Sequence, residues 1–211
     1  MHQKTLLQAG LELGKAKKAL VLIHGRGASA EDIISLTNYL NVEDFAIIAP
    51  QATNHTWYPY PFIQPVERNE PWLSSALSLL SSIVSDIEQA GIPSERIFIA
   101  GFSQGACLSL EFAARNARRW GGVAAFTGGL IGETINATNY KGDFAGTPIF
   151  VGSSDPDPHI PVSRVHDSVT QLRALGARVE EHIFPNMGHT VGQQELEIVN
   201  RYIFGDSAQR S

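Results

Sequence analysis

The sequence is short of several things, and each shortage removes a class of function. It holds a single cysteine, Cys107, among 211 residues. No internal disulfide framework and no cysteine-rich zinc site can be built from it. Basic residues are not in excess: 16 Lys and Arg stand against 21 Asp and Glu, a net charge of -5. That balance offers no footprint for nucleic acid and no polybasic stretch for an anionic membrane surface. Long apolar runs are missing too. The run at residues 19–23 is far below the ~20 residues that span a bilayer. Met1-His2-Gln3-Lys4 is followed by no apolar core of a signal peptide. Internal repeats and low-complexity tracts are also absent. What remains is 43% hydrophobic and 18% charged, an ordinary globular mixture. The length fits one domain and buries roughly 70% of the unfolded chain's surface without staples. A cytoplasmic protein with one domain over residues 1–211 is expected.

Short apolar runs alternate with longer amphipathic ones. Strands are predicted at residues 6–8, 19–24, 45–49, 97–102, 122–127, 148–152 and 178–184. Most are continuous Val, Ile, Leu, Phe and Ala, the composition of strands covered on both faces. Helices are predicted at 30–40, 73–90, 104–117, 161–175 and 191–204. In the second of these Leu73, Leu77, Leu80, Ile83, Val84 and Ile87 recur at helical spacing. The alternation implies an α/β fold, a mostly parallel central sheet of about seven strands with helices on both faces. Residues 54–72 break the rhythm. They carry Trp57, Tyr58, Tyr60, Phe62 and Trp72 among four prolines, which exclude a continuous helix or central strand. A long aromatic loop of this kind either serves function or covers core. Because it follows a strand's C-terminal end, Trp57, Tyr58, Tyr60 and Phe62 are candidates to wall a substrate pocket.

The sharpest motif is Gly101-Phe102-Ser103-Gln104-Gly105, a G-x-S-x-G. It follows the apolar run Ile97-Phe98-Ile99-Ala100 and precedes a helical run, the strand–turn–helix context of a nucleophile elbow. In so tight a turn a Cβ at either glycine would collide with the facing backbone. The serine hydroxyl is then held above the C-terminal edge of the sheet, at a helix N-terminus that favours developing negative charge.

A serine hydroxyl is a poor nucleophile at pH 7 and needs an adjacent base. His189 fits best, between the last strand and the last helix, on the edge where open α/β sheets collect ligands. His2 is terminal, His55 lies in the aromatic loop, and His166 and His182 sit within a helix and a strand. His24 precedes Ser103, the wrong chain order for this arrangement. A carboxylate must orient the base. The strand at 148–152 runs into Ser153-Ser154-Asp155-Pro156-Asp157-Pro158-His159-Ile160-Pro161. Counting forward from Gly152 favours Asp155; counting back from Pro161 favours Asp157, the first choice. The other acid caps the loop or helix. Asp155, Asp157 and His159 are too close in sequence, with prolines between them, to make a convincing metal site, and no distant ligand is evident. The backbone N–H of Gln104 is one expected oxyanion donor, and that of Arg26, in the loop after an early strand, the second. Cys107, one turn beyond Ser103, reads as a small buried hydrophobe.

The same early loop admits a rival. Gly25-Arg26-Gly27-Ala28-Ser29-Ala30 fits a dinucleotide-binding G-x-G-x-x-A. That reading needs an acid at the end of the next strand, which instead ends in Ala49-Pro50-Gln51, with Glu43 and Asp44 at the opposite end.

With these residues placed, the sequence resembles the phospholipase/carboxylesterase family, which includes the acyl-protein thioesterases, within the α/β-hydrolase fold. His24-Gly25-Arg26-Gly27, Ala49-Pro50-Gln51-Ala52, Trp57-Tyr58, Gly101 to Ala106, Asp157-Pro158-His159-Ile160-Pro161 and Gly188-His189 carry the resemblance across nearly the whole chain. It implies a serine hydrolase without a separate cap domain, acting on carboxylic or thioester bonds. The Asp-Pro-x-Val-Pro-like turn of the family supports Asp157. Two departures stand out: the extra Asp155-Pro156, and Arg26 where the thioesterase branch commonly has an apolar residue. The expected activity is carboxylic ester hydrolysis, with thioester hydrolysis by the same triad as alternative and an inactive binding module as the non-enzymatic one. No cofactor or metal is required. The expected partner is a small-molecule ester, and the sequence leaves a homodimer open.

Overall fold

The computed structural model describes residues 1–205; residues 206–211 of the expected domain lie outside the described residues. Among the described residues seven strands form one sheet: β1 (Leu6–Gly10), β2 (Lys18–Ile23), β3 (Phe45–Pro50), β4 (Ile97–Phe102), β5 (Gly122–Phe126), β6 (Pro148–Asp155) and β7 (Arg178–Pro185). Their order is β1-β3-β2-β4-β5-β6-β7. β1 runs antiparallel to β3, and every other pairing is parallel. The helices are α1 (Ala30–Ile34), α2 (Trp72–Gln89), α3 (Gln104–Arg115), α4 (Val162–Ala174) and α5 (Gln193–Tyr202). This is the expected α/β-hydrolase architecture.

Successive strand residues point to opposite faces, so each central strand feeds two cores. In β2, Ala19, Val21 and Ile23 join the core beneath α2 and α3, while Leu20 and Leu22 join the one beneath α1 and α5. β4 divides likewise, Ile97 and Ile99 from Phe98 and Ala100. Burial on both faces is why these strands read as unbroken apolar runs. α2 seals the first core with Leu73, Ala76, Leu80, Ile83 and Ile87, all buried at helical spacing. Each large aliphatic side chain buried in this way stabilises the fold by about 1.5–3 kcal/mol.

Two boundaries differ from expectation by three residues or more. The helix predicted over 30–40 is α-helical only to Ile34 and tightens into a 3-10 segment, Ser35–Tyr39. There Ser35 Oγ donates to the Asp32 carbonyl and Thr37 Oγ1 to that of Ile34, so short side chains compete for the helix's own acceptors. β6 continues beyond residue 152 to Asp155, because β7 pairs with it as far as Pro185. Parallel strands make the C-terminal ends of β2, β4, β6 and β7 share one edge. There the chain leaves the sheet at residues 24, 103, 156 and 186, and the expected chemistry collects.

Candidate active site

Ser103 sits between β4 and α3 with φ 54° and ψ −118°, a conformation side chains rarely adopt. Its N–H is held by the Phe126 carbonyl at 2.9 Å, and its own carbonyl accepts from Cys107 N–H at 3.0 Å. The two glycines make the turn sterically possible. A Cβ on Gly105 would run into the carbonyl oxygens of Ile23 and His24, and one on Gly101 would meet the Gly105 carbonyl at 2.5 Å.

His189 follows β7, on a loop held to β6 by Gly188 N–H donating to Ser154 Oγ at 2.9 Å. Its Nε2 lies 2.8 Å from Ser103 Oγ, and its Nδ1 2.9 Å from Asp157 Oδ2. With Asp157 as carboxylate, Nδ1 carries the proton and Nε2 accepts from the serine. The Phe102 ring packs 5.2 Å from the imidazole centroid on one side. The His159 ring stands nearly perpendicular to it, 4.9 Å away. The Asp157 side chain is fully buried. Its second oxygen, Oδ1, accepts from the N–H groups of His159 at 2.8 Å and Ile160 at 2.9 Å. Burial alone would push the Asp157 carboxyl up. The His189 hydrogen bond and those two N–H groups outweigh it and hold the carboxyl below its ordinary value. Asp155 is brought to the same edge but not to the imidazole. It is the exposed last residue of β6; its carbonyl accepts from Asn186 N–H, and its side chain has no partner among the described residues.

Arg26 and Gln104 both line the cavity that opens at Ser103, and neither of their backbone N–H groups meets an acceptor among the described residues. Their side chains do something the motif reading did not foresee: they pin the aromatic segment. The Arg26 guanidinium donates to the carbonyls of Tyr58, Pro59 and Tyr60 and to Thr56 Oγ1, at 2.9–3.1 Å. Gln104 Oε1 accepts from Trp57 N–H at 2.9 Å, and its Nε2 donates to the Tyr58 carbonyl at 2.8 Å. No spacing rule carries this signal, because both side chains bond to main-chain atoms of a distant segment.

The cavity measures about 730 Å³. The aromatic segment contributes Tyr58, Pro59, Pro61, Phe62 and Ile63 to its walls, and the turn around Asp157 contributes Pro158, His159 and Ile160. Cys107 lies at its lining, buried, and burial pushes its thiol up to about 12, so it is no nucleophile. Two of the expected wall residues are elsewhere. Trp57 is fully buried behind the wall; its Nε1 donates to the His24 carbonyl at 2.8 Å and its ring packs on the His24 imidazole. Tyr60 turns outward beneath the Arg68 guanidinium. Within an irregular segment no periodicity tells an inward ring from an outward one. His24 itself is a structural group: Nδ1–H donates to the Gly25 carbonyl and Nε2 accepts from Ala52 N–H, and burial holds its pKa down.

The sheet, the strained serine turn and the serine–histidine–aspartate contact at one edge define an α/β hydrolase. Within that class the chain belongs to the phospholipase/carboxylesterase family, whose profile it matches over residues 12–204. It is 52% identical to a phospholipase/carboxylesterase from Dyadobacter fermentans of known structure, with a TM-score of 0.95 over 96% of this chain and 97% of that one. Acyl-protein thioesterase 1 of Saccharomyces cerevisiae is 24% identical over 93% of this chain and 96% of its own length. Lysophospholipase-like protein 1 of the mouse is 22% identical over 90% of this chain and 87% of its own. No helix among the described residues is long and apolar enough to cross a membrane.

Proposed function

We propose that this chain is a serine hydrolase that cleaves carboxylic esters of small molecules through an acyl-enzyme on Ser103, as one hydrolase domain without a cap, in the cytoplasm. The observation that carries the reading is the position of the His189 imidazole, within hydrogen-bond reach of both Ser103 Oγ and Asp157 Oδ2. Ser103 attacks the ester carbonyl while His189 Nε2 takes its proton. The N–H groups of Arg26 and Gln104 receive the oxyanion as charge develops on it. Asp157, held ionised by its own donors, fixes the His189 tautomer and stabilises the imidazolium. The imidazolium then protonates the leaving alcohol, and a water repeats the steps on the acyl-enzyme.

Thioesters are a second reading, favoured by the relatives that bear the name acyl-protein thioesterase. A thiolate leaves without needing a proton, so the same constellation serves it. The test is a panel of p-nitrophenyl esters of graded acyl length, and matched thioesters, with wild type beside Ser103→Ala. Loss of about 10³-fold or more in kcat in the variant supports the reading. Equal rates in the two proteins contradict it.

A further inference from the structure

His159 has no part in the proton path, yet its backbone and its ring are both in contact with the groups that do. Its backbone N–H is one of the two donors to Asp157 Oδ1, so its position is tied to the triad acid. Its ring stands edge-on to His189 with centroids 4.9 Å apart, is exposed, and lines the cavity. Neither ring nitrogen has a hydrogen-bond partner among the described residues. An imidazole fixed in this way is a donor without an acceptor.

The Asp157 carboxylate beside it is turned to His189 and to the His159 and Ile160 N–H groups and does not line the cavity. In a chain with net charge -5, no Asp or Glu lines the cavity; its ionisable lining groups are Arg26, Tyr58, Cys107, His159 and His189. The Arg26 guanidinium is engaged by three carbonyls and a hydroxyl, all neutral, and among the described residues no carboxylate pairs with it. A cleft lined by one sign of charge concentrates ligands of the other. The side of the substrate follows from the chemistry. His189 Nε2 must deliver its proton to the departing oxygen, so the leaving alcohol lies against the imidazole. Two rings of the cavity wall flank that imidazole, Phe102 and His159, and of the two only His159 carries a hydrogen-bond donor.

We propose that His159 is a specificity-determining residue that donates a hydrogen bond to a carboxylate carried on the alcohol part of the ester, so that the preferred substrates are esters of hydroxy acids. The proposal rests on the hydrolase reading above. A hydrogen bond to a charged acceptor distinguishes such a substrate from its neutral amide by about tenfold or more, and the Arg26 charge adds a salt-sensitive attraction.

The test compares 4-acetoxybenzoate with 4-acetoxybenzamide, each kcat/KM divided by that ester's own rate with hydroxide. Wild type, His159→Phe and His159→Gln are measured. Phe keeps a ring beside His189 and keeps the backbone N–H that holds Asp157, but has no side-chain donor; Gln restores a donor. The expected result is a corrected preference of wild type for the carboxylate of about tenfold or more, its loss in His159→Phe and its partial return in His159→Gln. A wild-type preference at or below one, or one that His159→Phe leaves intact, overturns the proposal. These outcomes are separate from failure of the hydrolase reading, in which Ser103→Ala would cleave the neutral amide ester as fast as wild type.

Discussion

Asp157 and His189 meet through one carboxylate oxygen, Oδ2 to Nδ1 at 2.9 Å, while the other oxygen of Asp157 is held by two main-chain N–H groups. The acid is therefore fixed at both ends and cannot turn away from the imidazole without abandoning buried donors. Asp155, two residues earlier, has no such anchoring. Asp157→Asn presents the wrong tautomer to Ser103 and is expected to lower kcat by about 10⁴-fold. Asp155→Asn is expected to stay within a few-fold of wild type. Steady-state hydrolysis of a p-nitrophenyl ester by both variants checks this, and collapse of Asp155→Asn alone would reverse the assignment.

Arg26 ties the wall of the cavity to the loop that carries a proposed oxyanion donor. Its forked donors engage several carbonyls at once, which a lysine ammonium cannot reproduce. Arg26→Lys keeps the charge but is expected to lower stability by about 1–2 kcal/mol, a fall of about 2–8 °C in Tm for a chain of this size. The 56–63 segment should become cleavable by protease in the same variant. An unchanged melting temperature and cleavage pattern would show that the segment holds itself in place.

Glu195, at the start of α5, is buried; among the described residues one oxygen accepts from Gly192 N–H alone, and the other, against Gly152, has no partner. Burial raises its carboxyl from 4.5 to about 7, against the Gly192 hydrogen bond, which lowers it. The folded state thus keeps this proton where the unfolded chain has already lost it. The contribution is fully present below 4.5 and lost as pH rises through about 7. Relative to Glu195→Gln, wild type is expected to lose on the order of 3 kcal/mol across that window. Urea unfolding of both proteins at pH 5 and pH 8 measures it; parallel pH profiles would contradict it.

Much of this arrangement is legible in the sequence, for reasons that can be named. Ser103 announces itself because a strand-to-helix turn this tight admits only glycine at 101 and 105. The pairing of Ser103 with His189 follows from parallel strands ending at one edge. Asp157 is preferred to Asp155 already by counting back from Pro161, and the pairing supplies a physical reason: β6 runs on to residue 155 beside β7, so the turn facing His189 starts later than the apolar run suggests. The facing of Trp57 and Tyr60, and the work of the Arg26 and Gln104 side chains, depend on main-chain carbonyls of an irregular segment whose path no periodicity encodes.

The most direct measurement of the central claim is covalent labelling with a fluorophosphonate, read by intact mass and peptide mapping. The account predicts one adduct per chain, on Ser103, with a labelling rate at least about 100-fold lower in His189→Ala. An adduct on another residue, or labelling of Ser103 that His189→Ala leaves undiminished, would contradict it.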